Sequence, residues 1–226
     1  MSLQTILSVA ESVSINDHKF AGQMLSRNMR ISTSEILTVQ PFQFTMKPMS
    51  YLQYSTNRSV LSALRTADRI TEQYLNFGTT GWLNYIVYQG DMSSVQANAT
   101  TIQTGTTGKN IVLGNLPSIS SGAFIVKTGD FIQIDRYAYI ATASVQRGGS
   151  STVTIPVHRT VMTTVSSPLP AVIGQYGTTT SLGGSTYTGI TFPVVLREYP
   201  TYTLVPMTND SFISWDGEFN AFEVVL

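Results

Sequence analysis

Between Tyr137 and Val145 the odd positions hold Tyr137, Tyr139, Ala141, Ala143 and Val145, and the even positions are small or polar except for Ile140. After the turn "RGGSS", Val153, Ile155 and Val157 alternate with Thr152, Thr154, Pro156 and His158. A period of two sends successive side chains to opposite faces of a strand. The stretch from Gly129 to Arg159 therefore predicts three antiparallel strands with one apolar face and one Ser/Thr face. In this register His158 shares the polar face with Thr152 and Thr154, and no chemistry is expected of it.

A helical period takes over in "NRSVLSALRTADRITEQYL", where Val60, Leu61, Leu64, Ala67, Ile70 or Thr71, and Tyr74 trace one stripe. Asn57 or a neighbouring hydroxyl is the expected cap, and Gly78 lies just beyond the expected end. Arg65, Asp68, Arg69 and Glu72 fall on the outer face. Asp68 and Glu72 are one turn apart, but the interleaved arginines make an ion-pair ladder or interface a better reading than a metal pair. A short N-terminal helix is expected from Leu3, Ile6, Leu7, Ala10 and Val13, with Ser2 as its cap.

The remaining apolar pattern is extended. Leu37 and Val39, then Phe42, Phe44 and Met46, predict a strand bent at Pro41. "GWLNYIVYQG" reads as a strand from its aromatic and β-branched content. "FPVVLREYPTYTLVP" and "SFISWDGEFNAFEVVL" read as strand and hairpin, with Asp216-Gly217 as a two-residue turn. Segments 91–108 and 174–189 are polar and read as long loops that order on assembly. The expected fold is mainly β (α+β): a single domain, 1–226, of antiparallel β-sandwich or rolled-barrel form, with one long flanking helix and a short N-terminal one.

Composition narrows the function. The 226 residues are 42% hydrophobic, enough for a core, but only 12% are charged, about half the ~25% usual in soluble domains. With 13 basic and 13 acidic residues the formal net charge is zero. No basic excess is available for specific nucleic-acid binding, and so neutral a surface favours association. There is no cysteine, hence no disulfide or thiolate site. "MSLQTILSVAES" lacks the basic start of a signal peptide, and no apolar run approaches the roughly 18 residues of a membrane span.

Catalytic signatures do not emerge. His18 and His158 each lack a second histidine at i+3 or i+4, and no metal cluster is expected. There is no G-x-S-x-G elbow. "GTTGKN" around Lys109 lacks phosphate-loop spacing and reads as a glycine-rich hairpin tip. Asp216 with Glu218, and Asp130 with Asp135, are explained as turn and strand-start residues rather than as a glycosidase pair. No enzyme, cofactor or metal is expected. Trp82, Tyr85, Tyr88 and Trp215 leave one alternative, a carbohydrate- or receptor-binding β-module with an aromatic platform.

The succession "NRSVLSALRTADRITEQYLNFGTTGWLNYIVYQG", "VKTGDFIQIDRYAYIATASVQRGG", "TVTIPVHR", "YPTYTLVP" and "WDGEFNAFEVV" resembles virion structural proteins of tailed bacteriophages, particularly contractile-tailed ones. Its most distinctive piece is G-D-F-[IL]-Q followed by Y-x-[YV]-x-[VA]-T. The resemblance implies a tail-tube-like or baseplate module assembled as a homo-oligomeric, typically hexameric, ring in the virion tail. It also implies partners among tube, hub and tape-measure proteins. On that reading Arg65, Arg69, Thr152, Thr154 and His158 are the expected assembly or interface residues.

Overall fold

The computed structural model describes residues 3–17, 21–25, 30–35, 41–49, 52–67, 69–78, 83–179 and 182–225. The chain begins with α1 (Leu3–Ser8), β1 (Ala10–Asn16), β2 (Ala21–Leu25), β3 (Ile31–Glu35), β4 (Gln43–Pro48), β5 (Leu52–Gln53), α2 (Tyr54–Ala67) and β6 (Gln73–Asn76). Its middle holds a 3-10 turn (Asn84–Ile86), α3 (Ser94–Ala99), β7 (Thr101–Ile102), β8 (Asn110–Gly114), β9 (Phe124–Val126), β10 (Phe131–Ile134) and β11 (Tyr137–Ile140). Then come β12 (Val145–Gln146), β13 (Val153–Pro156), β14 (Leu169–Pro170), β15 (Val172–Ile173) and four closing strands. These are β16 (Thr191–Glu198), β17 (Thr201–Met207), β18 (Asp210–Asp216) and β19 (Phe219–Glu223). The protein is mainly β, and its sheets are antiparallel and curled. Two compact units form, one from residues 1–73 and 194–226 and the other from 74–193.

In the first unit, β1, β4, β19 and the greater part of β16 lie side by side in a sheet. The predicted alternation around β4 is present: Phe42, Phe44 and Met46 are all fully buried. Glu223, nearly buried, accepts the Phe42 backbone N–H at 3.0 Å, so a carboxylate completes the ladder where the strand begins. A three-stranded sheet runs β17-β18-β5, and β2 pairs with β3. Of the stripe read for α2, Val60, Leu61 and Leu64 are buried. Leu3, Ile6 and Leu7 of α1 are buried too, while Val13 lies in β1. Ser2, Leu37 and Val39 lie outside the described residues.

The second unit closes on one apolar cluster that includes Ile102, Leu113, Ile132, Tyr139, Ile155 and Ile173. Its sheets run β11-β10-β15, β12-β9 and β13-β8-β7-β14. The tip around Lys109 is a hairpin between β7 and β8, with Gly108 at φ 59°.

Several expectations are corrected. The 129–159 segment is not a three-stranded meander: β10 and β11 form a hairpin, but β12 pairs with β9 and β13 with β8. A single bridge, Ala141 to Val157, links the last two pieces. Nor does β10 have a wet face, since Phe131, Ile132, Gln133 and Ile134 are all buried. Its one polar member is satisfied, because the Gln133 side chain exchanges hydrogen bonds with the Thr191 backbone at 2.7 and 2.8 Å.

The long helix runs Tyr54–Ala67, starting earlier and stopping earlier than expected. Asn57 therefore sits inside the first turn and donates to the Gln53 carbonyl at 2.8 Å. Arg69 adopts φ 61°, its N–H turns to the Leu196 carbonyl at 3.1 Å, and Gln73–Asn76 becomes strand. Ile70, assigned to the buried stripe, is 84% exposed.

The 91–108 segment is not a bare loop. Ser93 and Gln96 form a reciprocal capping box on α3, a feature that satisfies two otherwise unpaired N–H groups. Tyr85 to Gln89 forms no strand. The Tyr88 and Gln89 N–H groups are taken by the side chains of Gln175 and Asp130, at 2.9 and 2.8 Å, instead of by a ladder. Asp216-Gly217 turns the chain between β18 and β19, but these strands belong to different sheets, so it makes no hairpin. The hairpin is β17–β18, turned at Thr208-Asn209 with Asn209 at φ 67°.

Candidate assembly surfaces

Arg65 belongs to a groove in the first unit formed by α2 and β17. Tyr54, Arg58, Leu61, Ser62 and Arg65 fall on one side of the helix because they recur at spacings of three, four and seven residues. Tyr202 of β17 closes this hollow, which measures about 220 Å³. An adjoining hollow of about 480 Å³ is lined by Arg65, Tyr199, Pro200, Thr201, Tyr202 and Leu204. The Arg65 Nη2 donates to the Tyr202 hydroxyl at 3.4 Å. At the other end of the helix, Asp210 accepts the Ser55 N–H at 3.3 Å and its hydroxyl at 2.6 Å. The Ser55 hydroxyl, followed by backbone N–H groups, holds the Asp210 carboxyl below the usual aspartate range, as expected for an anion at a helix N-terminus.

These contacts fix the direction of travel. Tyr202 meets the later part of α2, and Asp210, paired with Met207, meets its start. Strand β17 thus runs antiparallel to the helix. Its residues are mostly exposed, including Leu204 (42%), Val205 (39%) and Met207 (40%). Alternation puts Tyr202 and Leu204 on the helix side and Val205 and Met207 on the opposite side. Paired with Val205 is Phe212, which is only half-buried. Among the described residues the β17 strand has no second neighbour in its sheet.

Arg69 lines a second groove, of about 520 Å³, with Val195, Leu196, Arg197, Glu198 and Phe222. Arg197 lies over the Phe222 ring, 5.0 Å from its centroid, a cation–π arrangement. Asn220 donates to the Glu198 carboxylate at 2.8 Å. Asp68, a member of the expected ladder on this face, lies outside the described residues.

In the second unit Thr152 and Thr154 are exposed, while Ile155 and Val157 are buried, so the expected alternation holds along β13. His158 is half-buried and its ring Nδ1 accepts the Ile140 N–H at 2.9 Å, while the His158 backbone N–H donates to the Ile140 carbonyl at 3.0 Å. The ring therefore takes the place of a ladder carbonyl, which requires the tautomer protonated on Nε2. The preceding turn is held by Arg147, whose guanidinium donates to the carbonyls of Pro117, Gly148 and Ser150. Arg159, also buried, donates to the Ala138 carbonyl at 2.7 Å and lies over the Tyr139 ring.

Asp130, read from the sequence as a turn or strand-start residue, lies at the turn before β10, in a buried polar cluster. Its buried carboxylate accepts the Gln89 and Lys127 N–H groups at 2.8 and 2.7 Å. Burial raises its pKa, against the lowering effect of these hydrogen bonds. Burial likewise pushes the Tyr88 phenol upward, and it remains a donor to the Ile125 carbonyl at 2.5 Å. A G-D pair after a β-strand was the available signal, and it marks a structural turn.

Among the described residues no three His, Asp or Glu side chains group as metal ligands, and no helix is long and apolar enough to cross a membrane. His18 and Trp82 lie outside the described residues. Tyr85 packs edge-on against Phe131, and Trp215 packs against Tyr199, Tyr202 and Phe219. No protein-family model matches the chain, and no curated protein matches it.

Proposed function

We propose that the protein is a non-enzymatic structural component of a phage tail. It assembles into a ring, hexameric as the resemblance implies, at the tube end or baseplate, and it contacts tube and hub proteins. The observation that carries this reading is β17: a strand without charge, at the edge of its sheet among the described residues, with Val205 and Met207 about 40% exposed, beside half-buried Phe212, on the face turned away from α2. An exposed strand of this kind is a template for association unless something covers it. Neutral composition points the same way, since little self-repulsion opposes close packing of copies.

In this reading Arg65 and Arg69 lie at contacts with neighbouring proteins. Thr152, Thr154 and His158 form a hydroxyl-rich, charge-free edge suited to a wet channel wall that does not grip phosphate. Native mass spectrometry of the purified chain tests the proposal. A closed oligomer supports it; a monomer at all concentrations, binding a sugar through Tyr199, Tyr202 and Trp215, would instead establish the carbohydrate-binding alternative.

A further inference from the structure

The groove between α2 and β17 has a chemical character that self-assembly does not account for. Its floor and walls carry two guanidiniums, those of Arg58 and Arg65, and three tyrosines, with no carboxylate among the lining residues. Helix α2 itself contains no acidic residue. Arg58 is exposed and makes no ion pair among the described residues, and Arg65 donates to the Tyr202 hydroxyl. In a chain with equal numbers of basic and acidic residues, such a one-signed trough stands out. The two arginines are seven residues apart, about 10 Å along the helix axis; same-face residues of an extended chain, two or four apart, are about 7 or 14 Å apart, within the reach of the long guanidinium stems.

Beside them, the outer edge of β17 has no strand partner among the described residues. Pro206 has no N–H to give the β17–β18 ladder, so its nitrogen must face outward. That sets the parity of the edge: Tyr202 and Leu204 turn their N–H and C=O groups outward as well. An extended segment laid against β17 would find those groups free. Its side chains on the helix side would reach Arg58 and Arg65.

We propose that this groove docks an extended, acidic polypeptide segment of a different protein, adding a strand to β17 and placing carboxylates on Arg58 and Arg65. Charge complementarity selects the occupant. Guanidinium and carboxylate pair in bidentate fashion, and edge addition supplies affinity that does not depend on side chains. The inference goes beyond ring formation and does not require it. The apolar residues assigned to contacts between copies, Val205 and Met207, face away from the helix.

Fluorescence anisotropy on the full chain tests this, with a labelled short peptide alternating Glu with Thr and Val. A second peptide carries Gln at each Glu, and a labelled oligothymidylate is the third probe. The Glu peptide is expected to bind, and the Gln peptide to bind about a hundredfold more weakly, roughly tenfold for each lost charge pair. Arg58→Gln and Arg65→Gln should each weaken the Glu peptide about tenfold. Both side chains are exposed, and matching melting curves verify that the variants fold. Pro206→Val, which restores an edge N–H, should tighten both peptides.

Equal binding of the two peptides, no binding of either, or indifference to both arginine substitutions overturns the proposal. So does oligothymidylate binding through the same arginines in place of the peptide. Native mass of the same samples separates the two claims. An oligomer that survives Arg58→Gln/Arg65→Gln while peptide affinity falls supports this site independently of the ring. Loss of the oligomer instead makes the groove a self-contact and overturns it.

Discussion

If Val205 and Met207 are covered by a neighbouring copy, making them polar must weaken assembly without harming the fold. The double variant Val205→Thr/Met207→Gln keeps approximate size and strand propensity at two positions that are 39% and 40% exposed. Fully burying a valine or methionine side chain is worth about 1.5–3 kcal/mol. Covering the exposed two-fifths of each therefore contributes roughly 0.6–1.2 kcal/mol per side chain, or about 1–2.5 kcal/mol per interface. That corresponds to a shift of roughly 5- to 70-fold in the dissociation constant at each contact.

The fold should barely register the change, since exposed substitutions of this kind usually fall within about 0.5 kcal/mol. Sedimentation velocity over a concentration series reads the assembly, and thermal melting reads the fold. A variant that melts normally but assembles at wild-type concentration would refute the assignment of this face to the interface. A variant that melts far below wild type would show that the residues are supporting the hairpin itself.

Leu64 is fully buried on α2, so Leu64→Ala should cost about 2–5 kcal/mol in urea unfolding; a cost under about 0.5 kcal/mol would show the helix packed on another face. His158→Ala strands the Ile140 N–H that the imidazole now accepts and should cost about 1–3 kcal/mol, an effect an uninvolved surface histidine would not produce. Asp130→Ala leaves the Gln89 and Lys127 N–H groups without their acceptor and should destabilise by about 2–5 kcal/mol, with Asp130→Asn milder. The two perturbed aspartates act oppositely with pH. Burial raises the Asp130 pKa, so the folded state holds that proton more tightly, and its contribution to stability falls as pH rises from the usual aspartate value to the folded one. The Ser55 contacts lower the Asp210 pKa, so its contribution is present at neutral pH and is lost as pH falls through the folded value. Asp210→Asn should therefore flatten the acid limb of the stability curve, and an unchanged limb would exclude the helix-start contact as its source.

The legible parts of the fold were those governed by local periodicity. Phe42, Phe44 and Met46 alternate because one face of β4 is buried, and Val60, Leu61 and Leu64 are spaced for one side of a helix. What escaped was set by distant partners. Nothing near Tyr74 announces a strand; it becomes one because α2 stops after Ala67 and Gln73–Asn76 joins a sheet edge. Likewise, Val153 to Val157 reads the same whether its neighbour is β12 or β8, and only the tertiary ladder chooses β8.

The same limit governs the candidate surfaces. Arg65 was visible as an outward residue of α2, but its companions Tyr199, Tyr202 and Leu204 come from β17 and the connection before it, more than a hundred residues later. The exposed β17 strand was read as strand, yet its lack of an outer neighbour is a property of sheet order, which no local pattern encodes.

The central claim is that copies of this chain close into a ring. The most direct test is electron-microscopic imaging of the purified full chain across micromolar concentrations, with class averages examined for rotational symmetry. The account predicts closed rings with a central opening, six-fold in projection, that disperse for Val205→Thr/Met207→Gln. Particles the size of a single chain at every concentration, or open clusters without symmetry, would contradict it.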